Sequence, residues 1–462
     1  MSSRPRDGAR APAALETLAL DRERIPTLVL EVLRTLQGAG KQAFLAGGAV
    51  RDLARLALGQ AAAPAAGERW PADFDIATDA LPEEVIKIFP RTVPTGLQHG
   101  TVTVLARGKG EEHKVEVTTF RGEGPYLDGR RPSAVSFLGD IEGDLARRDF
   151  TVNAMAWDPL APGLSGLRDP FGGLADLHRH LLRAVGEARD RFAEDGLRPL
   201  RAIRFAATLR LALEPRTARA IGETLETFAK VARERVRDEL EKLLLRGRPV
   251  SRGARLLLRT GLLRVVAPEL AASAARDRAG WRRSLRALDA APALLEVRLA
   301  LLLLPLAAGP AAALCDSLRI PSRQRDRVLL LLREQPCQYT AAWSDGECRR
   351  LLARLTPAEL PAFIALRNAL AAADGAPARD RDFAARLEQL LASGPPLTTQ
   401  ALALDGRALM AALPLAPGPA LGRILRGLLE AVLDDPSLNN FAALLRLASE
   451  LLKKEPTGNP QR

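Results

Sequence analysis

Cysteine is sparse in this chain. The 462 residues contain three, Cys315, Cys337 and Cys348, an odd number without C-x-x-C spacing, alongside only four histidines. That pattern argues against a disulfide framework or a zinc site and makes a reducing cytoplasm the simplest compartment. Aromatic residues are also few, 4% with two tyrosines, so stacking of bases on aromatic platforms is not the expected way of holding a nucleic acid. Long apolar runs are missing as well. The longest uncharged stretch, Leu299 to Cys315, is broken by Pro305, Gly309 and Pro310 and falls short of the roughly 18 apolar residues a membrane span needs. The N-terminal MSSRPRDGARAPAALETLAL lacks an apolar core followed by a cleavage site, so residues 1–24 read as a disordered extension and not as a signal peptide.

Positive charge, by contrast, is plentiful. Lysine and arginine number 67 against 55 acidic residues, a net +12, which favours a polyanionic partner such as RNA or DNA gripped through its backbone by arginine. Hydrophobic residues make up 47% of the chain, ample for burial, and the length suggests three or four structural units. From about Ile25 to Trp157 the pattern is mixed: helix, a strand at Asp73 to Ile76, helix at Pro82 to Phe89, then the alternating strands HGTVTVLAR and HKVEVTTFR. After Asp169 the pattern turns almost wholly helical, and Ser393 to Thr399, around GPP, marks a boundary before a last helical unit. Catalysis is therefore expected in the N-terminal part and an RNA-holding surface in the C-terminal part.

The segment from Phe44 to Asp75 carries the most chemistry. Phe44, Leu45 and Ala46 form a short apolar run, Gly47 and Gly48 break it, and Val50 to Leu58 has helical spacing and includes Arg51 and Asp52. Such a turn leaves backbone N–H groups facing an anion at the helix start, and a triphosphate is the natural guest. Asp73 and Asp75 follow on a β-like segment, so both carboxylates are expected on one face, holding divalent cations for two-metal phosphoryl transfer. The plain alternative is a surface turn, because Asp-x-Asp is common by chance. Glu116, in KVEVTT, is either a third metal-site or general-base carboxylate, or a solvent-facing residue between buried Val115 and Val117.

Further motifs follow in order. In GDLARRDFTVNAMAW, Arg148 suits triphosphate oxygens through two parallel guanidinium bonds, and Asp149 or Asn153 suits the ribose hydroxyls, the alternative being a helix with a charged first turn. RDPFGGLADL, with Asp169, Gly172, Gly173 and Asp176, reads as a turn feeding a helix that orients two domains or touches a ligand. In EDGLRPLRAIRFAATL, Asp195 and Arg198 are three apart and expected on one helix face. They are either a helix ion pair or a reader of the amino bases C and A, the carboxylate accepting from the exocyclic amine while the guanidinium donates to ring acceptors. RERVRDELEKLL places Glu234, Arg235 and Glu239 on a helix that braces this reader.

Taken together and in this order, GGAVRD with DFD, RRDFTVNA, DPFGGLADL, EDGLR and ERVRDEL resemble the motifs of the class II tRNA nucleotidyltransferase and bacterial poly(A) polymerase family. The resemblance covers Phe44 to Leu245, and more loosely the tail from Leu402 to Asn439. It implies an α+β multidomain fold: a polymerase-beta-like nucleotidyltransferase palm with a mixed β-sheet, followed by an all-α neck, body and tail. The corresponding division is a head over 25–165, a base-recognising neck over 166–250, an RNA-binding body over 251–395 and a tRNA-binding tail over 396–462. It also implies two Mg²⁺ ions, CTP and ATP as substrates, and addition of C, C and A to the tRNA 3′ end. PTGLQHGTVTV resembles the CCA-adding branch, and TFRGEGPYLDGRRPSAVSF resembles the full-length loop associated with A addition. Two departures stand out. GQAAAPAAGERWP, from Gly59 to Pro71, is long for this position, and no histidine follows His180, so the phosphohydrolase domain of some relatives is not expected. The alternatives are an A-adding enzyme or poly(A) polymerase of the same family and, from another class, a catalytically silent RNA-binding protein. Asp73, Asp75, Asp195 and Arg198 argue against silence.

Overall fold

The computed structural model describes residues 18–61, 73–108, 111–123, 135–336 and 342–454. Most of the GQAAAPAAGERWP stretch, the segment YLDGRRP and Cys337 lie outside the described residues. The chain packs as two compact units, one formed by Met1–Leu243 with Gly247–Pro268 and the other by Leu244–Arg246 with Glu269–Arg462.

The first unit is built on a mixed sheet. Its strands are β1 (Ala43–Ala46), β2 (Asp75–Thr78), β3 (Thr92–Gly96), β4 (Thr101–Gly108), β5 (Glu111–Thr119), β8 (Ala156–Trp157) and β9 (Leu167–Arg168), in the order β3-β4-β5-β2-β1-β8-β9. A separate short hairpin joins β6 (Arg121–Glu123) to β7 (Val135–Phe137). In the large sheet only β2 and β5 run parallel. Alternation decides the faces. Across the β4–β5 ladder Val102 faces Val117 and Val104 faces Val115, all four buried, while Thr103 faces Glu116 on the opposite side.

Helix α1 (Thr27–Gly38) repeats leucine and valine along its length and buries Leu28, Val29, Leu30, Val32, Leu33 and Leu36, packing against β1 and β4. On the other face of β1, Phe44 and Ala46 join Phe120, Ile141, Leu145 and Val185 in a second cluster. Residues 18–24, part of the expected disordered extension, instead hold a one-turn helix at Arg22–Arg24 capped by Asp21, with Leu20 buried.

Four further helices belong with the sheet: α2 (Gly48–Ala57), which packs against β1, α3 (Pro82–Ile88), which packs against β4 and β5, α4 (Ile141–Ala146) and α5 (Gly173–His178). Then come α6 (Ala188–Glu194), α7 (Arg198–Thr208), α8 (Pro215–Glu223), α9 (Leu225–Ala229) and α10 (Arg233–Arg246). After Asp169 the described residues are almost wholly helical, as expected, broken by a parallel pair of short strands, β10 (Leu181–Leu182) and β11 (Ala212–Leu213). In DPFGGLADL, Asp169 accepts from the N–H groups of Gly173 and Leu174 at 2.6 and 2.9 Å, and buried Asp176 accepts from Thr151 at 2.6 Å and from Arg183 at 2.9 Å. This motif ties the end of the sheet domain to the helices.

From Glu269 on, every regular element among the described residues is helical. Leu299 to Cys315 is split as its proline suggests, into helices Leu295–Leu303 and Ala308–Ser317. The last helices enclose a leucine-rich core that includes Leu404, Leu409, Leu428 and Leu444. Among the described residues no helix is long and apolar enough to cross a membrane.

Candidate active site

The site starts where β1 ends. Gly47 has φ 70° and ψ −121°, a conformation L side chains rarely adopt, and its N–H donates to the Met155 carbonyl at 3.0 Å. A Cβ there would sit 2.5 Å from Arg148 Nη1, so the absent side chain is the space the guanidinium occupies. Helix α2 follows at Gly48, two residues earlier than its spacing suggests, and its first N–H groups open on the cleft. This cleft has a volume of about 570 Å³. Of the residues expected to act in catalysis or nucleotide binding, it is lined by Gly47, Gly48, Arg51, Asp75, Glu116, Arg148, Asp149, Asn153, Asp195 and Arg198 but not by Asp73, and the DPFGGLADL residues Asp169, Gly172, Gly173 and Asp176 do not line it.

The carboxylates stand on the floor. Asp75 opens β2 and pairs in register with Glu116 of parallel β5, so the two acids occupy neighbouring strands at one level. Asp73 is not on the strand, as expected from spacing, but exposed two residues before it, with Phe74 buried between the two aspartates. Asp75 is exposed to the cleft, yet the protein around it removes part of its water and raises its carboxyl to about 6, with Glu116 and Asp73 adding to the rise and Arg148 opposing it. Mutual repulsion of this kind is what a cation between the acids relieves. Among the described residues no three His, Cys, Asp or Glu side chains converge tightly enough to hold a metal alone. An oxygen-only, partial set of ligands fits Mg²⁺, which takes one or two protein carboxylates and completes its shell with substrate phosphates and water.

Above the acids is an arginine wall. Helix α4 ends at Ala146, so RRDFTVNA is not a helix with a charged first turn but a loop leading into a short turn at Thr151–Asn153. Buried Asp144 accepts from Arg147 at 2.9 and 3.0 Å and from Arg148 at 3.1 and 3.3 Å. Burial alone pushes the Asp144 carboxyl up, but Arg148 and Arg147 more than offset it and leave it below the usual range. Asp149 is fully engaged. Its Oδ1 accepts from the Phe150 N–H at 2.9 Å and from Asn153 Nδ2 at 3.0 Å, and its Oδ2 accepts from Arg201 at 2.8 and 2.6 Å, filling the four positions a carboxylate offers. Asn153 Oδ1 in turn accepts from Arg51 Nη1 at 2.7 Å, and Arg51 is forked onto Asp52 at 2.9 and 3.0 Å.

The far end holds Asp195 and Arg198, which do not share a helix and are held from different sides. Asp195 ends α6 in extended backbone, with its Oδ1 accepting from the Leu197 N–H at 3.0 Å, while Arg198 is the first residue of α7. Gly196 between them is required by close approach, since a Cβ there would lie 2.7 Å from the Thr227 carbonyl oxygen. Each side chain has its own clamp. Arg235 of α10 donates to both Asp195 oxygens at 3.2 and 3.0 Å, and Arg198 donates to Glu194 at 2.5 Å and to the Arg191 and Arg147 carbonyls at 2.7 and 3.2 Å. On the same helix as Arg235, Glu239 accepts from Arg204, and Glu234 makes no contribution to the cleft lining.

Sequence reasoning did not assign Arg121, Arg147, Arg201 or Phe205, all of which line the cleft. Arg147 and Arg201 carried a signal, one adjacent to Arg148 and the other one helical turn from Arg198. Arg121 carried none, because the β5–β6 corner brings it in.

Residues 43–183 match the family described as poly A polymerase head domain, and residues 210–273 match the one described as probable RNA and SrmB-binding site of polymerase A. A CCA-adding enzyme of Lactobacillus gasseri is 46% identical over 218 residues, 47% of this chain and 50% of that protein, so the matched part spans about half of its length. The similarity to the CCA-adding enzyme of Lactiplantibacillus plantarum is longer, 37% identity over 424 residues, covering 90% of this chain and 94% of the relative. Among solved structures, the fold is similar to that of the Bacillus stearothermophilus CCA-adding enzyme in complex with CTP, with a TM-score of 0.72 and 32% identity, covering 92% of this chain and 97% of that one.

Proposed function

The chain belongs to the family of CCA-adding enzymes, and from that premise we propose that it adds C, C and A to the 3′ end of tRNA, using CTP and ATP without a nucleic-acid template. One observation carries the reading. A single cleft joins the paired carboxylates of β2 and β5, a glycine turn under an arginine wall, and a separately clamped Asp195 and Arg198. These are the parts needed for transfer, for triphosphate holding and for base choice.

In this mechanism the 3′-hydroxyl of tRNA attacks the α-phosphorus, a phosphodiester bond forms, and the bond to the β-phosphate oxygen breaks to release pyrophosphate. Asp73 and Asp75 would hold Mg²⁺, which when bound supplies activation of the hydroxyl and charge neutralisation at the leaving pyrophosphate. Glu116, level with Asp75, is placed to take the hydroxyl proton or complete the metal site. Arg147 and Arg148, fixed on Asp144, and the first N–H groups of α2, from Gly48 on, face the triphosphate. At the other end the Asp195 carboxylate accepts from the amine of C or A, and Arg198 donates to the ring. Their clamps keep both edges in place before a nucleotide arrives. The basic helical part grips the tRNA backbone, and a cytoplasmic location follows from that substrate.

The test uses purified protein with Mg²⁺ and three tRNA transcripts, ending before CCA, after C and after CC, together with an unrelated RNA. Completion of all three tRNA ends is expected. Extension of only the CC-ending transcript would indicate an A-adding enzyme, long A tracts on the unrelated RNA a poly(A) polymerase, and no incorporation a binding protein.

A further inference from the structure

The two ends of the cleft sit on different elements, yet one nucleotide has to meet both. The phosphate end is the segment 147–153, and the base end is the junction of α6 and α7. Helix α7 supplies the links between them. Arg198 Nη2 donates to the Arg147 carbonyl at 3.2 Å, and Arg201, one turn further, forks through Nε and Nη2 onto Asp149 Oδ2 at 2.8 and 2.6 Å. Asp149 holds Asn153, which holds Arg51 of α2, so the fork extends the connection to the helix behind the glycine turn. In the other direction Arg201 comes within 3.9 Å of Glu239 on α10, the helix that also carries the Asp195 clamp Arg235. Its guanidinium stands 5.4 Å from the centre of the Phe205 ring, on which Arg51 also rests at 5.4 Å.

We propose that Arg201 is a positioning residue that sets the spacing between the phosphate wall and the base reader, so that nucleotide choice depends on it although it reads no base. The proposal rests on the function given above and deepens it. A planar fork fixes orientation as well as distance, which a lysine ammonium cannot do. All four acceptor positions of Asp149 are filled, and its link toward the base end runs through Arg201, whose side chain keeps 33% of its surface open to solvent. Loss of the fork lets the reader shift relative to the phosphates. The phosphate wall itself stays intact, since Asp144 and not Arg201 holds Arg147 and Arg148.

The experiment measures single-nucleotide addition by the full chain, with Mg²⁺, on a tRNA ending before CCA, for CTP and for UTP, together with inhibition by inorganic pyrophosphate. In the wild type CTP must be incorporated in preference to UTP, and its failure to do so overturns the proposed function before Arg201 is tested. For Arg201→Lys the expected result is a fall of about 100-fold in kcat/KM for CTP, a loss of about tenfold or more in the CTP preference, and a pyrophosphate inhibition constant within about threefold of wild type. Asp149→Asn, which keeps the shape but loses the charge, is expected to behave in the same way. An unchanged CTP preference in folded Arg201→Lys overturns the proposal. So does a weakening of pyrophosphate inhibition as large as the loss with CTP, which would make Arg201 part of the phosphate site. If neither variant shows a cooperative thermal transition, Arg201 serves stability and the proposal is likewise overturned.

Discussion

Gly47 shows how a single backbone conformation shapes the phosphate end. Its torsions suit glycine, and the room left by its missing side chain is filled by the Arg148 guanidinium. Gly47→Ala is therefore expected to cost about 1–3 kcal/mol in urea unfolding through backbone strain. It should also raise KM for CTP at least about tenfold by displacing the arginine, a change of about 1.4 kcal/mol in binding. Unaltered KM would show that Arg148 does not touch the nucleotide. Asp75 makes a second prediction at this scale. Its carboxyl is raised to about 6 in the fold, by partial loss of its water and then by Glu116. A raised carboxyl favours the folded state while protonated, so its contribution is present below the ordinary aspartate range and is lost as pH rises through about 6. In metal-free protein, the melting temperature of the wild type is expected to fall relative to Asp75→Asn between about pH 4 and 6. Mg²⁺ with CTP should narrow the difference at pH 7. A constant difference between the two proteins across this range would mean that the fold does not raise the Asp75 carboxyl.

Elements explain which parts of the site were legible. Alternation in HGTVTVLAR and HKVEVTTFR placed Val102, Val104, Val115 and Val117 inside and left Glu116 on the cleft side, because a half-buried ladder obeys a period of two. The glycine turn and its helix were equally readable, since φ above zero demands glycine. The junction at Asp195 was not read correctly, although Gly196 and Pro199 stand in EDGLRP as a break followed by a helix start. Helical spacing alone put Asp195 and Arg198 on one face, but their clamps, Arg235 and Glu194, come from α10 and α6. Glu194 is four residues from Arg198 and within local reach, whereas Arg235 is 40 residues from Asp195 and leaves no local signal. Base reading by this pair predicts that Asp195→Ala and Arg198→Ala each lose discrimination against UTP and GTP by about 1–3 kcal/mol. Four-nucleotide incorporation assays on one tRNA check it, and wild-type ratios in both variants would make the pair structural. Arg235→Ala, which frees Asp195 without removing it, should produce a smaller loss in the same direction.

Across the whole molecule the chain divides chemistry from grip. Net charge is +12, whereas the cleft floor carries the acids Asp75 and Glu116 in register, with Asp73 just ahead of the strand. An acidic floor cannot be the surface that attracts a polyanion, so tRNA affinity must come from arginines elsewhere, and removing the acids should leave it intact or slightly improve it. Asp73→Ala with Asp75→Ala is therefore expected to abolish nucleotide incorporation in Mg²⁺ while tRNA binding stays within about threefold of wild type. Salt gives the independent measure of the grip. If about six phosphates are neutralised, affinity falls by about 10³-fold between about 50 and 200 mM salt, and the double variant should follow the same slope as wild type because the slope counts phosphates neutralised by cations and the lost groups are carboxylates. Filter binding of tRNA over that range, with incorporation assayed on the same preparations, separates the two roles. Residual turnover by the double variant would remove the aspartates from the chemistry, and a flat salt dependence would show that the basic surface is not what holds the RNA.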